Sequence, residues 1–577
     1  MTQKYIPTKW VANETIGTAN VMNNIEQGIV GAYDEIERVD SQLAHIEKSK
    51  IVLREDENLN ERIDNINRDI SIELSNYTYK AKPFELNYNA NLENGVITFD
   101  GLNIIDYNSV IYIENKSDIT FKNIKFILDN YASLNKVVRG IVFINCHNIR
   151  LKNVSLYDFT DQSIRFQNCS NIVIDNCYFS NSNNLSLNTS EADDDYGAIA
   201  IFSSNNVKVI NSTFENCGTG MSIFDSSNVS ILNNDINGNI ENISAMGVYI
   251  LGDSSEIIID NNIISNFKNE GIVATNIGSV SKNIYNITIT NNVIKDCLYC
   301  LLSLDVNVKD VIISNNTFIV NEFIPSNSII QISNSVNINL NSNTLKNISN
   351  SLALRGIYLN SGNECIIESN FIEGNIATCI DVNKHKNHYI KSNTIQVSQN
   401  NKGVSIYPVN ATSCNQIVGN IIVGDSSTVL IERRVTENLR YYLMVENLMQ
   451  GGKVNLSPTQ NCWVYNNIFK NITSDSIIND NGNTVIKNNI GYDDNKVFIT
   501  DVKPSYEATG SERGRILQVQ TTNDYLVYVQ NNDGVYKYNR IAIGVGNIDN
   551  STAENVETLK DDFNKLLGKL RVSGVLS

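Results

Sequence analysis

Four carboxylates in one long connection are the first side chains in this sequence that could do chemistry. The connection covers residues 181–195, and its acidic side chains are Glu191, Asp193, Asp194 and Asp195. Carboxyl groups that converge about 5 to 9.5 Å apart can supply the proton donor and the base or nucleophile of glycoside hydrolysis. We therefore predict that this loop contributes to a catalytic cleft. Two alternatives remain open: the oxygen atoms bind Ca²⁺, or the loop is a solvated acidic surface.

A second pair of carboxylates emerges when two neighbouring repeats are aligned. The segments 223–227 (IFDSS) and 251–255 (LGDSS) place Asp225 and Asp253 at equivalent positions. Stacked side chains of neighbouring strands lie about 5 Å apart, where like charges raise the pKa of one carboxyl group and create an acid/base pair. Neither aspartate has an obvious lysine or arginine beside it in the sequence. We predict that both are catalytic; the alternative is that each caps the backbone of a turn.

Aromatic and basic side chains supply candidate binding groups beside these carboxylates. Tyr196 and Phe224 could each stack on a sugar ring, as aromatic side chains do in ligand sites. Arg433 and Arg434 form an isolated basic spot in an acidic chain and could contact an anionic polymer such as a phosphate-rich teichoic acid. Salt bridges between subunits are the alternative role for these two arginines.

The histidines and cysteines, which often bind metals, do not show the complete spacing of a metal site. His385 and His388 lie three residues apart near Asp381, in a segment typical of an exposed turn, and no further ligand is evident. Cys297 and Cys300 form a lone C-x-x-C without the second pair of a zinc site. The ten cysteines are predicted to fill the core as small apolar thiols. No cofactor is predicted beyond the Ca²⁺ alternative for the acidic loop.

A recurring asparagine indicates the element that must position these groups. An Asn returns at intervals of about 20 to 30 residues, usually after a short β-branched run. The series is Asn234, Asn262, Asn292, Asn316, Asn343, Asn370, Asn393, Asn420, Asn447, Asn467 and Asn489. Asn tolerates the left-handed backbone conformation and can hydrogen-bond an identical Asn about 4.8 Å above it. The sequence therefore predicts a β-solenoid with an asparagine ladder at one corner.

Composition agrees with a long solenoid and argues against several functions. Of 577 residues, 19% are charged and 42% are hydrophobic, and a solenoid can reach this length because each coil contacts only its neighbours. The net charge of −17 argues against a nucleic-acid partner. No apolar run is long enough for membrane insertion. Residues 1–16 lack the apolar core of a secretion signal, so export by that route is not expected.

The two ends of the chain follow other patterns. Apolar residues alternate spacings of three and four over residues 22–46, and the pattern resumes over 59–70. Isoleucine at both the a and d positions favours a parallel trimeric coiled coil. After about residue 506 the sequence predicts short antiparallel strands with a turn at 532–534. An amphipathic helix then follows from Thr552, and it either caps a trimer or folds back on the strands.

The N-terminal segment resembles part of a known class of proteins. Trp10, followed by TANVMNNIEQGI at 18–29, is similar to the attachment segment of tail fibre and baseplate proteins of phages that infect Gram-positive bacteria. The central coils, with three short strands each, look like the right-handed parallel β-helix of pectate lyases and phage tailspikes. The resemblance implies a mainly β, homotrimeric tailspike or tail fibre that joins other tail or baseplate proteins through its N-terminus.

These patterns divide the chain into six segments. The predicted segments are an attachment segment at 1–20, a helical coiled coil at 21–75, a linker or entry to the solenoid at 76–100, a parallel β-helix at 101–496, a small β domain at 497–548 and a C-terminal helix at 549–577.

The resemblance also implies a function at the host surface. A tailspike is made in the host cytoplasm, resides in the virion tail, and recognises a surface polysaccharide or wall teichoic acid during adsorption. Some tailspikes also depolymerise it, and hydrolysis, β-elimination and phosphodiester cleavage all stay open for this chain. Two alternatives remain: a non-enzymatic structural or receptor-binding fibre on tail or head, and a free polysaccharide lyase or hydrolase. The coiled-coil pattern and the attachment-like segment count against the free enzyme.

Overall fold

A computed structural model describes most of the solenoid and short parts of the C-terminal region. The described residues are 50–65, 69–101, 103–130, 134, 136–182, 197–241, 245–276, 282–407, 415–433, 439–440, 442–455, 459–460, 462–472, 485–487, 489–490, 498–500, 516–519, 524–530 and 536–541. The chain divides into two compact units, residues 1–485 and 486–577.

The first unit winds through repeated coils of short parallel strands, so that equivalent strands stack into three faces. Face 1 is a parallel sheet of 15 strands. Its strands are Phe84–Glu85, Ser109–Glu114, Arg139–Ile144, Ile164–Gln167, Ile199–Phe202, Met221–Phe224, Val248–Leu251, Glu270–Ala274, Cys300–Leu304, Ser328–Ser333, Ala353–Asn360, Ile376–Asn383, Lys402–Tyr407, Val429–Arg433 and Lys453–Asn455. This architecture confirms the predicted parallel β-solenoid.

Faces 2 and 3 follow face 1 in each coil, and the long strands Ala90–Phe99 and Ser117–Leu128 run through both. The other strands of face 2 are Lys50–Val52, Ile70–Glu73, His147–Lys152, Ser170–Asp175, Asn205–Ile210, Ser227–Leu232, Ser255–Asp260, Ile284–Thr290, Val308–Ser314, Val336–Asn341, Asn363–Glu368, Lys386–Lys391, Asn415–Val418, Tyr442–Val445 and Trp463–Tyr465. Those of face 3 are Thr78–Ala81, Ser155–Tyr157, Tyr178–Ser180, Thr213–Cys217, Asp235–Gly238, Ile263–Ser265, Val293–Lys295, Thr317–Val320, Thr344–Asn347, Phe371–Gly374, Thr394–Gln396, Ile421–Val423, Leu448–Gln450 and Ile468–Lys470.

The described chain also has a few other short elements. A 3-10 turn covers Asp106–Asn108, the strands Leu439–Arg440 and Thr459–Gln460 pair with each other, and Val485–Lys487 is a further strand. In the second unit, Ile516–Val519 pairs in parallel with Phe498–Thr500 and antiparallel with Asp524–Gln530. Asp524–Gln530 pairs antiparallel with Tyr536–Ile541. The predicted turn at 532–534 and the predicted helix at 549–577 lie outside the described residues.

Alternating inward and outward side chains define the core of each coil. On face 1, inward Ile201, Ile223 and Ile250 stack in register and are fully buried. Aromatic rings stack in the same way, and the rings of Phe143 and Phe166 are 5.1 Å apart. Each coil therefore buries its apolar side chains inside the coil and against the coils above and below it, as in other repeat architectures.

The asparagine ladder lies at the corner between faces 2 and 3. Each Asn donates its Nδ2 to the Oδ1 of the Asn in the next coil, from Asn234 through to Asn467, over 2.8 to 3.0 Å. The same Oδ1 also accepts the backbone N–H of the Asn below. The predicted ladder is confirmed, and it satisfies polar groups that burial would otherwise leave without a partner.

The left-handed residue at this corner is not the ladder Asn itself. Asn261, Asn291 and Asn315, each one position earlier, have φ of 55°, 56° and 57°. These preceding residues turn the chain, whereas the ladder Asn points its amide inward. The expectation that the ladder residues adopt the left-handed conformation is therefore wrong by one position.

The region predicted as the second half of the coiled coil is already part of the solenoid. Residues 59–64 form a single short helix, Leu59–Asp64, which Asn58 caps and whose Leu59 and Ile63 are buried. Asn60 joins it to the first coil through two bonds of 2.9 Å with the backbone of Lys82. The apolar spacing over 59–70 therefore reflects packing on the solenoid. Within the predicted linker or entry to the solenoid at 76–100, residues 78–99 form strands of the first coils. The predicted attachment segment and the heptad seam at 22–46 lie outside the described residues.

Among the described residues, no helix is long and apolar enough to cross a membrane.

Candidate functional site

The predicted aspartate pair lies at the corner between faces 1 and 2. Phe224 is opposite Leu251, so Asp225 is opposite Gly252, and Asp253 lies one position further along. The sequence alignment that set Asp225 directly against Asp253 was wrong by one residue, because this corner holds one more residue in the second coil than in the first. Asp225 Oδ1 instead accepts the backbone N–H of Asp253 over 2.8 Å.

Both aspartates bond the backbone of the coil above. Asp253 Oδ1 accepts the backbone N–H of Asn283 over 2.8 Å, and Lys282 Nζ lies 2.7 Å from each carboxylate oxygen of Asp225. The premise that no basic residue stands beside Asp225 is therefore wrong. These contacts are those of turn caps, the alternative role considered for the pair, and a catalytic role for Asp225 and Asp253 stays a prediction.

Phe224 lies on the outward side of face 1 among other aromatic rings. Its ring centroid is 5.9 Å from that of Phe202, and Lys282 Nζ is 4.8 Å from it. Arg165 lies 4.2 Å from the ring of Phe202. A sugar stacking on Phe224 would therefore share the ring with the Lys282 ammonium group.

The other predicted site residues are not described by the structure. Glu191, Asp193, Asp194, Asp195, Tyr196 and Arg434 lie outside the described residues. The backbone of Arg433 continues the last long strand of face 1, opposite Ile406, and its side chain is outside the described part. Their catalytic, binding and Ca²⁺ roles therefore stay predictions.

Face 1 brings together a polar cluster that the sequence did not single out. Its outer row stacks Gln331, Tyr358, Asp381, Ser405 and Glu432 on five successive coils. The aliphatic neighbours of these residues in each strand point inward and are buried. The row therefore lies on the outer side of the sheet, with about 4.8 Å between successive side chains. Tyr358 and Glu432 are half-buried there, whereas Gln331, Asp381 and Ser405 are buried.

Arg355 organises the centre of this cluster. Its Nε donates to Asp381 Oδ2 over 2.8 Å, and its Nη1 donates to Asn327 Oδ1 over 3.1 Å. The guanidinium lies 4.3 Å from the Tyr358 ring centroid. The Tyr358 hydroxyl accepts a bond of 3.1 Å from Asn383 Nδ2. The Tyr358 ring is thus held in a fixed orientation by a cation on one side and an amide at its tip.

The cluster continues at both ends. Lys402 Nζ lies 2.5 Å from Glu432 Oε1, and the same oxygen accepts from Ser405 Oγ over 3.0 Å. At the other end, Asn327 bonds Gln331, and Tyr299 is 41% exposed beside them. Aromatic rings and hydrogen-bonding side chains therefore lie together along face 1, from the coil that follows Tyr299 to the coil of Glu432.

Glu270 is the most strongly perturbed described carboxyl group. It opens a face 1 strand and lies opposite Cys300. Burial raises the pKa of Glu270 to about 7; its own backbone N–H opposes this rise, and the charge of Asp305 adds to it. Among the described residues, no basic side chain forms an ion pair with Glu270. A carboxyl group in this state can donate a proton near neutral pH.

The histidine pair is buried, so the expectation of an exposed turn was wrong. His385 and His388 have no solvent exposure, and burial lowers the pKa of His385 to about 4 and that of His388 to about 3. His388 Nε2 lies 3.1 Å from the Tyr442 hydroxyl. Among the described residues, no group of three or more His, Cys, Asp or Glu side chains could hold a metal ion. The nine described cysteines are buried, Cys297 and Cys300 among them, as predicted.

Comparisons with known proteins agree with this topology. Residues 109–286 match the family model described as a right-handed beta helix region, and the predicted right-handed parallel β-helix is confirmed as the class of fold. A search of curated proteins finds no significant match. Among solved structures, a mutant tailspike protein of E. coli bacteriophage HK620 in complex with a pentasaccharide shares 13% identity at a TM-score of 0.44, over 69% of this chain and 76% of that chain.

Two further structures are similar at the same level. A surface adhesin of Streptococcus pneumoniae shares 16% identity at a TM-score of 0.37, over 64% of this chain and 85% of that chain. The A-module of a mannuronan C-5 epimerase of Azotobacter vinelandii shares 12% identity at a TM-score of 0.36, over 56% of this chain and 92% of that chain. Similarity of this degree assigns no substrate or reaction to the chain.

Proposed function

We propose that this protein is a phage tailspike or tail fibre that binds an extended glycan of the bacterial surface along face 1. The observation that carries the proposal is the outer row of face 1, in which Tyr358 and Arg355 lie among amide, hydroxyl and carboxylate groups on successive coils. Aromatic faces and convergent polar groups of this kind bind sugars, because a sugar ring presents both C–H surfaces and hydroxyl groups.

The charges of the cluster favour a hydroxyl-rich polysaccharide. Arg355 is paired with Asp381 and Lys402 with Glu432, so both cations of the cluster are already neutralised. The chain as a whole carries a net charge of −17, which repels a polyanion. A wall teichoic acid would instead use basic groups outside this cluster, such as the predicted pair Arg433 and Arg434.

Attachment to a virion is the part of the proposal that rests on the N-terminal sequence. Trp10 and the segment 18–29 resemble an attachment segment of phage tail proteins, and the heptad seam at 22–46 would join three copies. We expect the protein in purified particles, labelled at the tail by antibodies in electron micrographs. Removing residues 1–20 would leave the protein folded but absent from particles. Particles that retain the shortened protein would overturn this assignment.

Binding is tested with surface polymers purified from candidate Gram-positive hosts. Tyr358→Ala should weaken binding roughly fivefold, since stacking on one aromatic ring contributes about 1 kcal/mol. Tyr285→Ala is the matched control, because Tyr285 is an exposed tyrosine of face 2. Titration calorimetry should show a loss only for Tyr358→Ala. Equal affinities for the two variants would exclude face 1 as the binding surface.

Cleavage of the bound polymer is a second candidate function, favoured by Glu270. A carboxyl group with a pKa of about 7 can protonate a leaving oxygen at neutral pH. Chain shortening is followed by size-exclusion chromatography for the wild type, Glu270→Gln, Asp225→Asn, Asp253→Asn and a loop with residues 191–195 neutralised. Shortening that only Glu270→Gln abolishes would assign Glu270 as the proton donor. Binding without shortening on every polymer would leave a receptor-binding fibre.

A further inference from the structure

A cavity of about 270 Å³ lies where three successive strands of face 3 end and the chain turns towards face 1. The three strands are Thr344–Asn347, Phe371–Gly374 and Thr394–Gln396. The lining of the cavity includes Asn347, Ile348, Glu373, Gly374, Gln396 and Val397. Pockets that hold a drug-sized ligand measure roughly 300 to 1,000 Å³, so this space can hold only one small part of a larger ligand. We call it the corner cavity.

The backbone around the corner cavity is fixed by contacts between coils. The N–H of Ile348 donates to the carbonyl group of Val320 over 2.9 Å, and the N–H of Val397 donates to a carbonyl group of the next coil over 2.7 Å. Gly374 has a φ of 104°, and a Cβ atom there would overlap the carbonyl oxygen of Asn347. The cavity is therefore preformed, and a ligand can bind without ordering the backbone.

The walls of the corner cavity combine aliphatic surface with an amide. Ile348 is 61% exposed, the highest fraction among the large apolar side chains that the structure describes, and Val397 adds a second aliphatic wall. Gln396 is exposed, so its amide can bond a ligand. The Glu373 carboxylate lies 2.7 Å from Lys346 Nζ, which compensates its charge. The cavity therefore suits an uncharged group with a methyl and a carbonyl.

Exposed aliphatic side chains lie in the chain between the corner cavity and the polar cluster of face 1. Leu352 and Leu354, just before Arg355, are 45% and 50% exposed. Gly374 precedes Thr378 by four positions, and Thr378 lies opposite Arg355 in the sheet. Because an extended chain rises about 3.3 Å per residue, the cavity begins within about 13 Å of the Thr378 backbone. A short branch of a glycan bound to the polar cluster can span this distance.

We propose that the corner cavity binds an acetylated sugar residue on a branch of the glycan, so that the protein distinguishes acetylated from unacetylated forms of its polymer. The methyl group contacts Ile348 and Val397, and the Gln396 amide donates to the acetyl oxygen. O-acetyl esters and N-acetyl amides share this methyl and carbonyl. The inference rests on the proposed function, because the polar cluster of face 1 holds the main chain of the glycan.

Removal of acetyl groups from the polymer tests the inference with the full-length protein. The polymer that binds the wild type is compared in four forms: native, treated with mild alkali to remove O-acetyl esters, treated with hydrazine to remove N-acetyl groups as well, and N-reacetylated after hydrazine. We expect deacetylation to weaken binding about tenfold, from the loss of one methyl contact and one hydrogen bond. Equal affinities for all four forms would overturn the inference.

The four forms also identify the type of acetyl group. A loss that is already complete after mild alkali assigns an ester. A loss that appears only after hydrazine and is reversed by N-reacetylation assigns an amide. Size-exclusion chromatography of each form checks that the treatments have not shortened the polymer. A loss that coincides with shortening and disappears when fractions of equal length are compared would overturn the inference.

Two variants test whether the acetyl group binds in the corner cavity. Ile348→Ser and Gln396→Ala should each reduce the preference for native over deacetylated polymer, and neither should change the melting temperature, because both side chains are exposed. Ile312→Ser is the matched control, since Ile312 is a 41% exposed isoleucine of face 2 and should keep the full preference. A full preference in Ile348→Ser would place the acetyl group elsewhere and overturn the inference.

Tyr358→Ala separates failure of this inference from failure of the proposed function. If Tyr358→Ala weakens binding and deacetylation does not, face 1 binds the glycan but the corner cavity is not an acetyl site. If Tyr358→Ala binds every form as tightly as Tyr285→Ala, face 1 is excluded, and the inference falls together with the proposed function.

Discussion

Arg355 and Asp381 form an ion pair between neighbouring coils of face 1, with 2.8 Å between Nε and Oδ2. The Asp381 side chain is only 4% exposed, whereas Arg355 is 27% exposed. The arginine therefore compensates a carboxylate that the sheet has withdrawn from water, and its own guanidinium covers the ring of Tyr358. Arg355 therefore contributes to stability through Asp381 and to the proposed glycan-binding surface through Tyr358.

Arg355→Ala should both destabilise the protein and weaken glycan binding. Removing the guanidinium leaves the buried Asp381 carboxylate without its main partner, a loss of about 2 kcal/mol for a charged hydrogen bond of this kind. Thermal unfolding should move to lower temperature, and the affinity for the polymer should fall. Asp381→Asn in the Arg355→Ala background should restore much of the stability but not the binding. If stability and binding returned together, Arg355 would only support the fold.

Breaking the asparagine ladder should cost more than removing an outer asparagine. Asn316 accepts from both the backbone N–H and the Nδ2 of Asn292 and donates to Asn343, all in a buried corner. Asn316→Ala leaves these groups without partners, and we expect a loss on the order of 3 kcal/mol in unfolding free energy. Asn341→Ala, on the outer side of the same coil as Asn343, should change it by about 0.5 kcal/mol or less. Chemical denaturation measures both, and equal losses would remove the special role of the ladder.

The sequence predicted the repeat and its ladder because a buried Asn must recur at one corner of every coil. Asn234 to Asn467 mark that corner, and their spacing fixes the number of coils regardless of loop length. The apolar spacing over Leu59 and Ile63 was ambiguous, since a short helix on a solenoid and a coiled coil bury the same positions. The helix there ends at Asp64, and Ile70 already belongs to a strand.

The outer surface of face 1 could not be read from the sequence in the same way. Connections of unequal length precede each face 1 strand, so the ladder does not fix which residues become neighbours on that face. Arg355 and Asp381 are 26 positions apart, and nothing in the sequence aligns them. One additional residue at the corner between Leu251 and Ser254 was enough to displace the alignment of Asp225 and Asp253.

Asp225→Asn separates a capping role from a catalytic one. Asparagine keeps an oxygen for the backbone N–H of Asp253 and tolerates the φ of 49° at this position. It loses the ion pair with the half-buried Lys282, and we expect a loss of no more than about 1 kcal/mol in unfolding free energy. A capping role predicts unchanged chain shortening, if the wild type shortens the polymer. Loss of shortening with an unchanged melting temperature would support the predicted catalytic role.

The buried histidines should make the solenoid sensitive to acid. In the folded protein, burial lowers the pKa of His385 from an ordinary 6.5 to about 4. The unfolded chain therefore binds protons first, and stability is lost as the pH falls from 6.5 towards 4, by on the order of 3 kcal/mol. Melting temperatures recorded from pH 7 to pH 4 should show this decline.

Two variants test the assignment to these histidines. His385→Leu should reduce the decline between pH 6.5 and 4 by about half, because His388, whose pKa burial also lowers, still takes up a proton on unfolding. His147→Gln is the control, since His147 is exposed and its ring bonds the hydroxyl of Ser170. A decline of the same slope in His385→Leu and the wild type would assign the acid sensitivity to other groups.

If the protein cleaves its polymer, the pH dependence of the rate should follow the ionisation of Glu270. A proton donor works only while protonated, so the rate should fall as the pH rises through about 7. Glu270→Gln should abolish shortening and keep binding, because the amide cannot donate the proton but retains the shape of the carboxyl group. Rates of chain shortening from pH 5 to pH 9 provide the measurement.

Stability provides a second measurement of the same carboxyl group, independent of any substrate. Because burial raises the pKa of Glu270 above 4.5 in the folded state, the folded protein binds the proton more tightly than the unfolded chain. The contribution of Glu270 to stability is therefore complete below pH 4.5 and is lost as the pH rises to about 7. The side chain in Glu270→Gln cannot ionise. Its melting temperature should therefore rise relative to that of the wild type as the pH is raised from 4.5 to about 7. If the difference between the two melting temperatures did not change with pH, Glu270 would ionise normally. Its assignment as the proton donor would then fail.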